Sequence, residues 1–299
     1  MTYLVTGDRG FVGSNLVSYL TARGYDTIGF DMLQDYPTVE VITDFMKSNN
    51  IERVYHLGAR AFIPDNYGMS IGAIVNSNIV FTANLLMACK NADIDRLLYF
   101  STSEVYGNAE KLPIDENTPT KPESTYAATK LAAENLVRTF RDETGMDMRV
   151  LRHFNIYGPR DTQPRIIPKL IRAAKKNIVL KLGSLDVTRD FSYVTDACIA
   201  AENVMEYEFC EDFVHGSETE TSLKSLIDLV SELYNNKLVI ESDSSLIRPR
   251  EVRRLVADTT KYRNAFQKHK HVDLRTGLEY TMKWYDEHDW EWENGKGVK

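Results

Sequence analysis

Short apolar runs alternate with longer amphipathic stretches through the first half of the chain, and this alternation sets the expected architecture. Tyr3 to Thr6, Asp26 to Phe30, Arg53 to Leu57, Arg96 to Ser101 and Met148 to Arg152 are runs of strand length, with the pattern of parallel strands covered on both faces. Phe11 to Arg23, Ile71 to Asn91 and Ser124 to Thr144 lie between them and read as helices. Strand and helix in strict alternation make βαβ units, so the expected class is α/β with a doubly wound parallel sheet. Asp31 to Arg53 leaves room for about one helix, where such a sheet commonly fits a further strand and helix. A trimmed sheet or a shortened crossover is expected there.

After Arg152 the rhythm breaks. Gly158-Pro159 and Gln163-Pro164 punctuate a loop. Ile166 to Lys176 reads as a helix, Ile178 to Leu182 as a strand, and Phe191 to Glu206 as a strand turning into a helix. Leu223 to Tyr234 is a further helix, Arg248-Pro249-Arg250 a loop, and Asp273 to Trp284 a last amphipathic helix. Glu291 to Lys299 is a polar tail, expected to fray.

Composition narrows the function. The 299 residues suffice for one large domain, or for a main domain with a smaller appendage. With 43% hydrophobic and 26% charged residues, disorder and coiled coil are excluded as whole-chain descriptions. The net charge of −7, from 36 Lys+Arg against 43 Asp+Glu, speaks against nucleic-acid binding by bulk charge but leaves room for a local basic patch. The 3 cysteines, Cys89, Cys198 and Cys210, are too scattered for a disulfide framework or a zinc site, and no metal is expected. No run reaches the ~20 apolar residues of a membrane span. No basic flank leads into a signal core, so the chain is read as cytoplasmic and free of membrane.

Candidate chemistry sits in three motifs. Gly7-Asp8-Arg9-Gly10-Phe11-Val12-Gly13 follows one strand and opens a helix. Glycines there turn the backbone tightly, admit a pyrophosphate and let the helix pack close to the strand, although glycines in any βα loop look alike. Asp31, about 20 residues on at the end of the next strand, can accept hydrogen bonds from an adenosine ribose. No Arg or Lys follows it closely to hold a 2′-phosphate, so NAD is expected rather than NADP. Tyr126 and Lys130 share one helix face. A phenol with its usual pKa of ~10 is a poor base, and an adjacent ammonium favours phenolate; an ordinary exposed Tyr-Lys pair has the same spacing. Ser101-Thr102-Ser103-Glu104-Val105-Tyr106-Gly107 follows the apolar strand Leu97-Leu98-Tyr99-Phe100. Residues two apart at a strand end point the same way, so Thr102 and Glu104 are expected to face one substrate, as hydrogen-bond partner and as acid or base. A polar loop after a buried strand is the plainer alternative.

In this order the motifs resemble the extended short-chain dehydrogenase/reductase superfamily, in its nucleotide-sugar epimerase/dehydratase branch. The resemblance runs nearly the whole length, through His56-Leu57-Gly58-Ala59, Asn78 to Leu86, Leu151 to Arg160, Thr188 to Val194, Arg248-Pro249 and Val256 to Lys261. It implies a Rossmann-type NAD-binding domain over 1–158 plus about 186–216, and a smaller nucleotide-sugar-binding domain over about 159–185 plus 217–290. It implies Tyr126 as catalytic base, Lys130 as the ligand of the nicotinamide ribose that also lowers the Tyr126 pKa, and Thr102 beside the reacting hydroxyl. Gly7, Gly10, Gly13 and the backbone of Phe11 and Val12 would hold the pyrophosphate, with Asp31 on the adenosine side. Leu57, Gly58, Ala59 and Arg60 would line the cofactor, and Asn78, His153 and Phe154 would lie near the nicotinamide. Asn155, Arg189 and Arg248 would hold the diphosphate of a nucleotide-sugar substrate. A homodimer through a four-helix bundle of the helices at 71–91 and 124–144 is also implied. This chain departs at Phe81, which replaces the glycine of Asn-x-x-Gly-Thr, and at His153, which stands where an aromatic is common.

The chemistry shared in that branch is transient oxidation of the sugar C4. The 4-keto sugar is then reduced from the other face by 4-epimerases, loses water across C5 and C6 in 4,6-dehydratases, or loses carbon dioxide in uronate decarboxylases. Glu104 discriminates: a simple 4-epimerase needs no second base, whereas C5 proton abstraction does. dTDP-glucose dehydratases carry Asp where Ser103 stands here, and decarboxylases show a His-Pro-Gln stretch that Asn108 to Pro113 lacks. The order of expectation is 4,6-dehydratase, then 4-epimerase, then decarboxylase. A catalytically silent NAD-binding regulator is the alternative from another class; the retained Thr102, Tyr126 and Lys130 speak against it.

Overall fold

The computed structural model describes residues 1–31, 37–60, 71–247, 250–266 and 270–288. The tail expected at 291–299 lies outside them. In chain order the first half holds β1 (Thr2–Thr6), α1 (Phe11–Ala22), β2 (Asp26–Phe30), α2 (Val39–Ser48), β3 (Arg53–His56), α3 (Ile71–Val75), α4 (Phe81–Asn91), β4 (Arg96–Thr102), α5 (Thr125–Thr144) and β5 (Asp147–His153). The second half holds β6 (Asn155–Tyr157), α6 (Ile166–Lys176), β7 (Leu180–Leu182), β8 (Thr188–Tyr193), α7 (Val194–Glu206), β9 (Phe213–His215), β10 (Glu220–Ser222), α8 (Leu223–Leu233), β11 (Ile240–Ser242), α9 (Thr260–Ala265) and α10 (Leu274–Glu287).

Among the described residues the main sheet has the order β2-β1-β3-β4-β5-β9, with every pair parallel. Both of its faces are covered, which is why its strands read as unbroken apolar runs. Tyr3, Val5, Leu98, Phe100 and Leu151 point into a core with Leu16 and Leu20 of α1 and Cys198 and Ala201 of α7. Leu4, Leu97, Tyr99 and Val150 point the other way, onto Ile42 and Met46 of α2, Leu85 of α4 and Val137 of α5. Each such fully buried aliphatic side chain contributes roughly 1.5–3 kcal/mol of transfer free energy. The lean segment after Asp31 has its expected consequence: β2 is the sheet edge, and α2 serves the crossover to β3.

Helix ends follow their capping residues. Ser124 accepts from the Ala127 N–H at the start of α5, and Gly145 closes it in a left-handed conformation with φ 73°. The helical stretch from Ile71 to Asn91 is interrupted by a π-turn at Asn76–Val80, directly before Phe81. Phe81 is fully buried beside Gly58, where a Cβ would lie 3.1 Å from its ring, so the ring fits because its neighbour has no side chain. By length and composition alone Ile71–Asn91 is apolar enough to cross a membrane. In the structure it is a packing helix, with α4 set against α2 and α5.

The remaining strands form two small sheets, β10-β8-β6 and β11-β7. Both lie outside the main sheet and supply the far wall of the cavity described next.

Candidate active site

The chain order reverses between β1 and β3, so a crevice opens beyond their carboxyl ends, where α/β sheets bind ligands. Gly7 ends β1 with φ +71°, and its amide donates to the Phe30 carbonyl at 2.9 Å. A Cβ on Gly13 would be driven into the Gly7 carbonyl, so α1 can start this close to the turn only with glycine. Gly10 provides no side-chain cap, and the first turn of α1 holds no acidic residue. The amides there are left to an outside acceptor, and with Asp31 at the end of β2 these residues fit a dinucleotide.

A cavity of about 780 Å³ extends from this turn across the ends of β4 and β5 to the small sheets. Phe11, Val12, Leu57, Ala59, Thr102, Glu104, Tyr126, Lys130, His153, Phe154, Asn155 and Arg189 all line it. Gly7, Gly10, Gly13, Gly58, Asp31, Arg60 and Asn78 do not. Asn78 instead accepts from the Arg60 amide at 2.8 Å and donates to Thr129 Oγ1 at 2.9 Å, which ties the turn after β3 to the Tyr126 helix. Arg248 lies outside the described residues.

Thr102 and Glu104 meet for a reason other than strand alternation. The strand stops at Thr102, and Ser103–Tyr106 is a 3-10 turn in which the amide of its second residue, Glu104, donates to Thr102 Oγ1 at 3.2 Å. The hydroxyl that ends β4 therefore also fixes the turn that brings the carboxylate into the cavity. Ser103 is buried beneath it.

Burial dominates the electrostatics. It pushes the Tyr126 phenol up to about 12, opposed by the Arg165 guanidinium and by a hydrogen bond from Thr102, and reinforced by the Glu104 charge. Burial also pushes the Lys130 ammonium down to about 7, against the pull of Glu134. Lys130 Nζ donates to the Phe100 carbonyl at 2.6 Å and sits 4.1 Å over the Tyr99 ring. His153, stacked on Phe100 and edge-on to His215, is held down to about 3 by burial, and both of its ring nitrogens lack a hydrogen-bond partner among the described residues. It is a neutral imidazole in the cavity wall.

Several lining residues escape sequence reasoning. Arg165, Lys169, Lys181, Leu246, Ile247 and Glu251 come from the loop before α6, from α6 and β7, and from the segment after β11. Glu251 lies 3.4 Å from Arg189. Glu134, fully buried below the site, accepts from Ser101 Oγ and from Arg152 at 2.6 Å. Pro164-Arg165 just before an amphipathic helix was the signal available for Arg165.

The sequence profile of the NAD dependent epimerase/dehydratase family matches residues 3–211. A low-salt glycan biosynthesis protein, Agl12, of Haloferax volcanii is 34% identical over 74% of this chain and 79% of its own. A UDP-glucuronate 4-epimerase of Thermodesulfobacterium geofontis is 28% identical over 95% of this chain and 96% of its own. The crystal structure of UDP-glucuronic acid 4-epimerase from Bacillus cereus, in complex with UDP-glucuronic acid and NAD, superimposes with a TM-score of 0.88. It is 25% identical and covers 96% of this chain and 99% of that one. The matched proteins include both 4-epimerases and 4,6-dehydratases, at low identity. The glycine turn, the Tyr126-Lys130 helix and the profile agree: the chain belongs to the NAD-dependent epimerase/dehydratase family.

Proposed function

We propose that this protein is a nucleotide-diphosphate-hexose 4,6-dehydratase. The observation that carries this reading is Glu104, a carboxylate lining the same cavity as Thr102 and Tyr126 and close enough for its charge to act on the phenol. NAD, when bound along Gly7–Gly13 and the ends of β1 to β5, supplies the acceptor for hydride from C4. Tyr126 takes the proton of the C4 hydroxyl, and Thr102 holds the same oxygen. The C4 carbonyl then acidifies the C5 proton, which Glu104 removes. The protonated Glu104 gives its proton to the departing C6 hydroxyl, since Ser103 has no acidic group to do so, and return of the hydride to C6 with a solvent-derived proton to C5 would complete the 4-keto-6-deoxy product and restore the oxidised cofactor. Asn155 and Arg189 grip the substrate diphosphate, and the segments at about 159–185 and 217–290 hold the nucleotide.

A 4-epimerase is the second reading, favoured by Ser103: with no separate acid, the elimination has one carboxylate for two proton transfers. We also propose a homodimer. Ile71, Val80 and Met87 on the helical stretch 71–91 and Leu136 on α5 are exposed apolar side chains on the two helices expected to pair. A monomer mass in solution at all concentrations would sink that proposal.

Glu104→Gln separates the two reactions. For a dehydratase, the variant still oxidises C4, so 4-keto sugar forms while elimination falls by about 10²–10⁴. A variant that interconverts C4 epimers at the wild-type rate, with no solvent deuterium entering C5, leaves the 4-epimerase standing.

A further inference from the structure

We infer that Glu134 is a positioning residue for the reaction: one buried carboxylate clamps the helix that carries Tyr126 and Lys130 to the strand end and turn that carry Thr102 and Glu104. The inference rests on the reading of Tyr126 as the base, but not on which reaction follows.

Tyr126, Lys130 and Glu134 stand on successive turns of one face of α5, and Glu134 is fully buried. Two of these turns are tied to the end of β4. Lys130 Nζ donates to the Phe100 carbonyl at 2.6 Å, and Glu134 Oε1 accepts from the hydroxyl of Ser101, the residue between Phe100 and Thr102. Glu134 also forms a two-pronged pair with Arg152 of β5, Nη2 to Oε2 at 2.6 Å and Nε to Oε1 at 3.0 Å. Arg152 carries the brace onward. Its Nη1 donates to the Tyr106 hydroxyl at 2.8 Å, and its guanidinium sits 4.8 Å over the Tyr106 ring. Tyr106 is the last residue of the 3-10 turn that holds Glu104. The stretch from Thr102 to Glu104 is therefore held at both ends, at Ser101 and at Tyr106, by groups that converge on Glu134.

Stability alone does not call for ions at this place. Desolvation cancels much of the Coulomb gain of a buried pair, and apolar side chains of similar size commonly serve as well or better. What apolar packing lacks is direction. Hydrogen bonds of fixed length and angle set where Ser101 and Tyr106 stand relative to α5, and a reacting group misplaced by about 1 Å can cost about 100-fold in rate. Glu134 also draws Lys130 towards its charged form, against the effect of burial. Arg138, whose Nη1 donates to Glu134 Oε2 at 2.9 Å, has a second carboxylate in Asp212 at 2.7 Å from its Nε. Arg138 would therefore stay paired if Glu134 were replaced, and Arg152 is the ion that a variant must also remove.

The test compares the NAD-loaded wild type with Ser101→Ala, Glu134→Gln and the double variant Glu134→Met/Arg152→Met, which leaves neither ion of the pair behind. All are assayed well below their Tm, with the nucleotide-linked hexose that the wild type turns over. The readouts are kcat, KM, and the rate at which bound reduced cofactor appears in a single turnover. In the double variant kcat and the single-turnover rate should fall by about 10- to 100-fold, while KM and NAD content stay at wild-type values. Glu134→Gln should lose as much, and Ser101→Ala less, because its Arg152 brace remains. A double variant as fast as the wild type overturns the inference, since the pair then only holds the fold. A raised KM with an unchanged kcat also overturns it, by assigning the pair to substrate binding. Should the Glu134 variants fail to fold, Ser101→Ala decides, and an unchanged kcat there overturns the inference. Failure of the reading of Tyr126 as base would show separately, as turnover retained in Tyr126→Phe.

Discussion

The two walls of the cavity are assembled differently. Phe11 and Val12 come from the start of α1 and Leu57 and Ala59 from the turn after β3, within a few residues of strands buried on both faces. Their positions follow from strand periodicity and from glycine geometry at Gly7 and Gly13. The opposite wall draws Arg165, Lys181, Arg189, Leu246 and Glu251 from separate segments, linked by short strands such as β7 and β11 and by ion pairs such as Arg189 with Glu251. The first wall is fixed by local structure and suits a constant ligand. The second is fixed by long-range contacts, and can change its ligand without disturbing the sheet.

The comparison breaks most sharply at the residue that faces both walls. Tyr126→Phe should reduce turnover by about 10²–10⁴ while leaving NAD retention and Tm unchanged, measured by steady-state rates and by nucleotide released on denaturation. Loss of NAD in that variant would mean that Tyr126 serves the first wall rather than the chemistry.

Next in size, Gly13→Val acts on the first wall alone. Its side chain must displace the Gly7 carbonyl, and overpacking of this kind costs about 1–3 kcal/mol. Purified protein should carry little or no NAD and unfold at lower denaturant concentration. Arg189→Ala acts on the second wall: KM for the nucleotide sugar should rise by about 10- to 100-fold with NAD retention intact, since a charge-assisted hydrogen bond is worth about 1.5–3 kcal/mol. Equal loss of both ligands in either variant would show that the walls are not separable.

The smallest effect lies behind the second wall. His271 Nδ1 is 3.7 Å from Asp196 Oδ2, and that carboxylate, with Asp190 and Glu218, raises the His271 pKa above 6.5 against the cost of burial. A raised folded-state pKa contributes stability that is fully present below the unfolded pKa and is lost as pH rises through the folded value. The Tm difference between wild type and His271→Gln should therefore be larger at pH 5.5 than at pH 8.5, by less than about 1 kcal/mol in free energy. A difference independent of pH would remove the ion pair from the account.

Legibility in the sequence follows the same division. The strands from β1 to β5 and the helices α1 and α5 are readable because burial on both sheet faces and caps such as Ser124 leave local marks. Thr102 and Glu104 were placed together for the wrong local reason: alternation would need the strand to continue, but it ends at Thr102 in a 3-10 turn. Asn78 also braces the Arg60 amide against Thr129, a contact visible only once the helices pack. Arg165 left almost no mark: its pairing with Asp161, four residues earlier, is local, but its seat against the Phe11 ring comes only from packing against the start of α1.

The most direct test of the central claim is a product analysis by NMR of wild-type enzyme incubated in deuterium oxide with a panel of nucleotide-linked hexoses. The account predicts a 4-keto-6-deoxy sugar carrying solvent deuterium at C5, formed from at least one of them. A product that is only the C4 epimer of its substrate, with no deuterium at C5, would contradict it.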